Sequence, residues 1–404
     1  MPPRAKPIAL VSGLDFSGYG IMRSLAQHDV RIVALSSPRG DAAYHSRYRR
    51  GIHFYPPGLD LDRIAESLLQ WRREYDHDPV LFSTSDWFAY LTVHHQAQLS
   101  SCFRFHWQDT ELVRRIIHKD QMNAICREAG VLVPRTHVTR AGEPLEPALA
   151  EFPFPCLVKP FRNYGTSFPE ARKNLVARSP EELIRFYGAH PELMGLTLWQ
   201  EIVEGGDNNI FQCTVLVRQS GELGAVACVR KLRQYPPGYG SMCFGRTEHN
   251  EVVIAAALRL LRHLGYRGLA SLEFKFRPQD GRYYFIEMNP RLPWYNGLFA
   301  DAGINLAYLA YLDLIEEFGA AKPALQQREG VHWVSFYYDL RWWLSKDRQR
   351  TSFWSWLRSL GRARSFAWWN WRDPLPWLRA TGSLIAAVLR KFTERQVGSC
   401  SGLV

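Results

Sequence analysis

The chain has no stretch approaching the ~18 to 20 uninterrupted apolar residues of a membrane-spanning helix. Its start, Met1-Pro2-Pro3-Arg4-Ala5-Lys6-Pro7, runs into a strand too short for the apolar region of a signal peptide, so the expected compartment is the cytoplasm. Cysteine is sparse. Seven residues, an odd number with no Cys-x-x-Cys pair, read better as small buried apolar side chains than as disulfides or a zinc site. A clean Gly-x-Gly-x-x-Gly is missing too. The glycines of Ser12-Gly13-Leu14-Asp15-Phe16-Ser17-Gly18-Tyr19-Gly20 therefore read as tight-turn residues, and no acid ends the strand Val30 to Leu35 where one would hold a dinucleotide's ribose. No Ser/His/Asp or Cys/His set stands out, and the adjacent His94 and His95, which point to different sides of any element, read as structural.

What is present begins with size: 404 residues, 46% hydrophobic, suffice for two or three packed lobes. The net charge of +11 is uneven, because residues 341–395 hold twelve Lys and Arg against Asp347, Asp373 and Glu394, which places +9 there. That argues against a nucleic-acid-binding body and puts any attraction to an anionic surface in the C-terminal segment. Nine of the fourteen tryptophans lie at or beyond Trp333, interleaved with those arginines. Three readings compete: helices packing on the body, a platform for a large or lipid-linked substrate, and an amphipathic element on a membrane surface. Packing ranks first. Peripheral contact of residues 341–395 with the inner face of the membrane ranks second, with Ser383 to Phe392 able to lie at an interface but too short to span it.

Along the chain, Ile8 to Val11, a helix through Ala26 and Val30 to Leu35 form a βαβ opening, hence a doubly wound α/β lobe, to which Val80 to Asp86 adds a strand before the lobe ends near residue 112. A helix follows from His118 to Gly130, with Lys119 in its first turn, where a cation opposes the helix dipole unless it shares an anion with that end. Phe154 to Pro160 is an apolar strand delivering Lys159 at its end, and Leu198 to Asp207 is a strand entering a glycine turn with an acid beyond it. Arg230-Lys231-Leu232-Arg233-Gln234-Tyr235-Pro236-Pro237-Gly238-Tyr239-Gly240 is a basic run entering a Pro/Gly/Tyr loop. Lys231 or Arg233 is read there as a phosphate or substrate contact, with a solvated loop as the alternative.

The most informative segment is a hairpin. Ser271 to Phe276 and Tyr283 to Asn289 alternate like strands, and a three-residue loop Gln279-Asp280-Gly281 with Gly281 in the left-handed position sets Glu273 opposite Glu287, with Asn289 on the same face. Two carboxylates ~5 Å apart repel by roughly 3 to 4 kcal/mol at an effective dielectric near 20. A divalent cation reverses that sign, and Glu, Glu and an amide oxygen form a hard, all-oxygen set suited to Mg²⁺ beside a phosphate. Two plainer readings stay open: solvated acids on an exposed hairpin, or Glu273 neutralised by an Arg or Lys. A two-residue Asp280-Gly281 turn would instead set Glu273 against Met288.

Taken in order, Lys119, the Val158-Lys159-Pro160 strand, the Gln200 to Asp207 strand and turn, the Glu273 hairpin and Glu287-Met288-Asn289-Pro290-Arg291 resemble the ATP-grasp superfamily over roughly residues 8–318. The resemblance implies an α/β N-terminal lobe (1–112), then a small (113–199) and a large (200–320) α+β lobe of an ATP-grasp fold, with a helical Trp/Arg-rich C-terminal segment (321–404). It further implies ATP with Mg²⁺ or Mn²⁺. Lys119 and Lys159 look like the phosphate-binding lysines; Gln200, Glu201 and Val203 are similar to the adenine-reading strand; Asp207 matches the ribose-holding acid. Glu273, Glu287 and Asn289 look like the metal ligands, and Arg291 resembles the arginine that binds the carboxylate or stabilises an acyl phosphate.

One departure is the segment after Lys159, Asn163-Tyr164-Gly165-Thr166-Ser167, which has a single glycine where family members often have several. That segment and Tyr235 to Gly240 are the expected closing loops. The implied activity is ATP-dependent ligation of a small-molecule carboxylate to an amine through an acyl phosphate. An amino acid or peptide-like substrate is expected, as in D-aspartate ligases or peptide-forming enzymes of secondary metabolism, with a homodimer as a further expectation. The alternatives are a non-catalytic ATP-binding or membrane-associated scaffold and, third, a dinucleotide-dependent oxidoreductase.

Overall fold

A computed structural model describes residues 6–37, 41–58, 60–75, 78–106, 108–161, 174–320, 327–345 and 351–383. Three sheets organise them. Ala9–Ser12 (β1), Ile32–Ser36 (β2), Gly51–Phe54 (β3) and Val80–Phe82 (β4) form a parallel sheet in the order β3-β2-β1-β4. Every residue of β1, β2 and β4 is buried, as the uninterrupted apolar runs of a strand covered on both faces require. After β1 the chain turns through Gly13 into the helix Phe16–Ala26, whose N-cap Asp15 accepts from the Gly18 N–H at 3.1 Å. Gly18 has to lack a side chain, because a Cβ there would fall 2.0 Å from the Gly13 carbonyl oxygen. These glycines serve the turn.

Thr136–Val138 (β5), Cys156–Pro160 (β6), Leu175–Ala177 (β7) and Thr197–Glu201 (β8) form a second, antiparallel sheet in the order β5-β8-β6-β7. Trp199 of β8 anchors its core, fully buried, with its indole N–H donating to the Tyr187 hydroxyl at 2.9 Å. The third sheet has seven strands: Ile210–Val217 (β9), Leu223–Tyr235 (β10), Ser241–Thr247 (β11), Gly268–Arg277 (β12), Arg282–Asn289 (β13), His332–Val334 (β14) and Ala363–Phe366 (β15). Their order is β13-β12-β9-β10-β11-β14-β15.

The hairpin reaches the expected pairing by an unexpected route. Arg277 pairs with Arg282, so the loop has four residues rather than three, and a bulge between Glu273 and Phe274 restores Glu273 opposite Glu287. Gly281 does adopt a left-handed backbone, with φ of 68°.

The C-terminal segment corrects a wholly helical expectation. Besides the helices Phe336–Leu344 and Phe353–Leu360 it supplies β14 and β15, so the large sheet continues past residue 320. Trp333, Trp342 and Trp356 are buried, and Trp333 shares a core with Val11, Tyr19, Leu298 and Tyr311 that ties the first sheet to the third. Trp354 and Trp371 are exposed. Six cysteines among the described residues are free and mostly buried, and burial pushes the Cys126 thiol up to about 12. Among the described residues no helix is long and apolar enough to cross a membrane.

Candidate active site

A cleft of about 450 Å³ opens where β6 and β8 face β10, β12 and β13, with the turns after β1 and β4 at one end. Its chemistry is set by strand ends. Lys159, the penultimate residue of β6, donates to Gln200 Oε1 on β8 at 2.6 Å. Burial pulls its pKa down, against the opposing pull of Glu287 and Glu273. Lys119 opens the helix Lys119–Glu128, and its backbone N–H donates to Phe161 O at 2.9 Å while its Nζ reaches Pro160 O at 3.3 Å. Both ammonium groups therefore arrive at the same cleft from different elements.

Across from them, Glu273 and Glu287 are cross-strand partners, and Asn289 lies one period further along β13, its Nδ2 donating to Glu287 Oε1 at 3.3 Å. Burial raises the pKa of Glu273; Lys231 opposes that shift and Glu287 adds to it. The positive charge that opposed acids demand is supplied here by Lys231, whose Nζ lies 2.6 Å from Glu273 Oε2. Lys231 and Glu273 are both buried. Neutralisation by a lysine, one of the plainer readings, thus coexists with a hard-oxygen set whose composition fits Mg²⁺. Arg291 completes the cluster, its Nε held by Asp86 Oδ1 at 2.7 Å and its Nη2 donating to Asn289 Oδ1 at 3.3 Å.

Residues 244–311 match the family described as the carbamoyl-phosphate synthase L chain, ATP binding domain. The D-aspartate ligase of Enterococcus faecium is 24% identical over 316 residues, covering 74% of this chain and 75% of that protein. The L-amino acid ligase of Bacillus licheniformis superposes with a TM-score of 0.61 at 16% identity, covering 81% of this chain and 79% of that one. The biotin carboxylase domain dimer of Hydrogenobacter thermophilus 2-oxoglutarate carboxylase, in complex with MgADP, ADP and bicarbonate, gives 0.61 at 15% identity over 81% and 74%. The chain has the ATP-grasp fold.

Within this ATP-grasp cleft the remaining expected residues separate. Gln200, Glu201 and Val203 line it, the Glu201 carboxylate being turned to Arg277 and to the Arg135 N–H. Asp207 sits one layer back, where its Oδ1 accepts from Gln234 Nε2 at 2.8 Å and from the Gly238 N–H at 3.2 Å, fastening the loop 236–240 to β10.

Arg233 is a correction. Simple alternation would put it beside Lys231, but the register of β10 against β11 slips on both sides of Arg233 and sends it to the opposite face. There it grips Asp339 with two bonds of 2.7 and 2.8 Å and packs over Phe244 and Trp342. Residues 162–173, which contain the expected phosphate flap, lie outside the described residues.

Two cleft residues were missed by the sequence reading. Lys275 follows Glu273 by one strand period, a signal that was legible, and burial lowers its pKa. Asp15 carried no signal beyond its place in a turn.

Proposed function

We propose that this chain is an ATP-dependent carboxylate–amine ligase that forms an amide through an acyl phosphate, acting on an amino acid or peptide-like substrate. The observation that carries the reading is the convergence of Lys119, Lys159, Lys231, Lys275 and Arg291 with Glu273, Glu287 and Asn289 in one cleft. A carboxylate is a poor electrophile, so phosphorylation must precede attack by the amine, and both steps concentrate negative charge that preorganised cations offset. Lys119 and Lys159 hold phosphate oxygens, the strand from Gln200 to Val203 receives the adenine, and Arg291 orients the acid. Glu273, Glu287 and Asn289 hold a divalent cation, which when bound neutralises phosphate charge. The printed names of the relatives, a D-aspartate ligase and an L-amino acid ligase, support this substrate class.

The test is phosphate release from ATP across a panel of amino acids and amines, with mass spectrometry of the product. Amide formation from at least one pair is expected, and its absence from every pair, with ATP bound, would overturn the reading in favour of a non-catalytic ATP-binding protein. Glu287→Gln should lower turnover more than about 100-fold while the circular dichroism spectrum and thermal midpoint stay unchanged. Wild-type turnover in that variant removes the metal assignment.

A further inference from the structure

At the end of the cleft formed by the first sheet lies a charge that phosphate chemistry does not use. Asp15 lines the cleft with its residue exposed to it, and among the described residues no Lys or Arg forms a salt bridge with it. Its place in the depth of the cleft raises its pKa, with the Gly18 N–H and then the charge of Arg291 opposing that shift. One carboxylate oxygen is engaged by the Gly18 N–H as the helix cap. An anion is therefore displayed at the end of the cleft away from the Glu273–Glu287 hairpin pair, on the side where Arg291 is fixed by Asp86.

We propose that Asp15 is a specificity-determining residue that receives the ammonium group of the amino acid whose carboxylate is activated, with Arg291 on the carboxylate side. This rests on the ligase reading above. Opposite charges at one end of a cleft suit a zwitterion, and neither a simple organic acid nor an inorganic anion would engage Asp15. The chemistry gives the assignment a direction. The attacking amine must be unprotonated, and a neighbouring carboxylate would raise its pKa and hold its proton. The amine of the activated partner must be kept from attacking, and pairing with Asp15 keeps it as a non-nucleophilic ammonium. Asp15 therefore sorts the acyl donor from the acyl acceptor. Phe16, the next residue, packs edge-on against Trp294 at 5.2 Å, and Trp294 lines the same end of the cleft, so an apolar wall stands beside the ammonium site.

Asparagine at position 15 keeps a good helix cap, so Asp15→Asn isolates the charge from the fold. The experiment measures phosphate release with the most active amino acid of the panel and with the same acid lacking its amino group, in wild type and variant. The expected result is a loss of about 10- to 100-fold in kcat/KM for the amino acid in the variant, carried by its KM, with the KM for ATP unchanged and the preference over the des-amino acid abolished. An unchanged preference in Asp15→Asn, with the wild type active, overturns this inference and leaves the ligase reading standing. A wild type that releases phosphate with no amino acid overturns both.

Discussion

Individual side chains in this cleft do two jobs. Asp207, one layer back from the cleft lining, was expected to hold a ribose, yet its hydrogen bonds are to Gln234 and to the Gly238 N–H, so it controls where the loop 236–240 sits. Asp207→Ala should raise the KM for ATP by about tenfold, the cost of one charge-assisted hydrogen bond, and lower kcat less. Steady-state kinetics at saturating amino acid would check the split, and an equal fall in kcat would contradict it. Legibility at this scale followed chemistry. Lys119, Lys159, Asn289 and Arg291 were readable because each is a charged or amide side chain at or just past a strand or helix end, and Glu273 and Glu287 because two acids face each other across a hairpin, where charge needs a reason. Asp15 was not, because an N-cap aspartate has the same sequence signature whether or not its free oxygen faces a ligand.

Among elements, β10 shows how a bulge redistributes function. The slips around Arg233 place Lys231 in the cleft and Arg233 in a buried pair with Asp339, a contact no alternation rule could forecast. Asp339 is fully buried and also accepts from the Trp356 indole N–H at 2.8 Å, so this pair fixes both C-terminal helices to the large sheet. Arg233→Met leaves that carboxylate without its cation and should cost about 3 to 5 kcal/mol. Urea denaturation monitored by tryptophan fluorescence should register the loss, and Arg233→Met with Asp339→Leu should recover part of it. ATP affinity should stay within about twofold in the folded fraction, since Arg233 does not line the cleft. The hairpin teaches the same lesson with the opposite outcome. A loop one residue longer and a compensating bulge cancelled, so the predicted Glu273–Glu287 pairing appeared although the loop did not.

Across the whole molecule, the first sheet and the hairpin were legible from apolar runs and period-two patterning, whereas the C-terminal segment was not. Composition marked it as basic and tryptophan-rich, but short strands such as β14 and β15, of three and four residues, carry too little periodicity to recognise. Their place in the main sheet changes what truncation means. Removing everything after residue 320 would uncover the edge of β11 and take Trp333 out of the core shared by the first and third sheets. The truncated chain should aggregate or elute as a swollen species in size-exclusion chromatography. A well-folded, ATP-binding truncation would show that these strands are dispensable.

The contact between Lys231 and Glu273 gives the resting protein a built-in counter-ion. Two bare acids facing each other would scavenge whatever divalent ion the surroundings offered, nucleotide or not. With a lysine already paired to one of them, a metal arriving alone would have to displace that ammonium, whereas one arriving with an anionic nucleotide would bring the lysine a new partner, so under the ligase reading the acids would be reserved for a metal–nucleotide cargo.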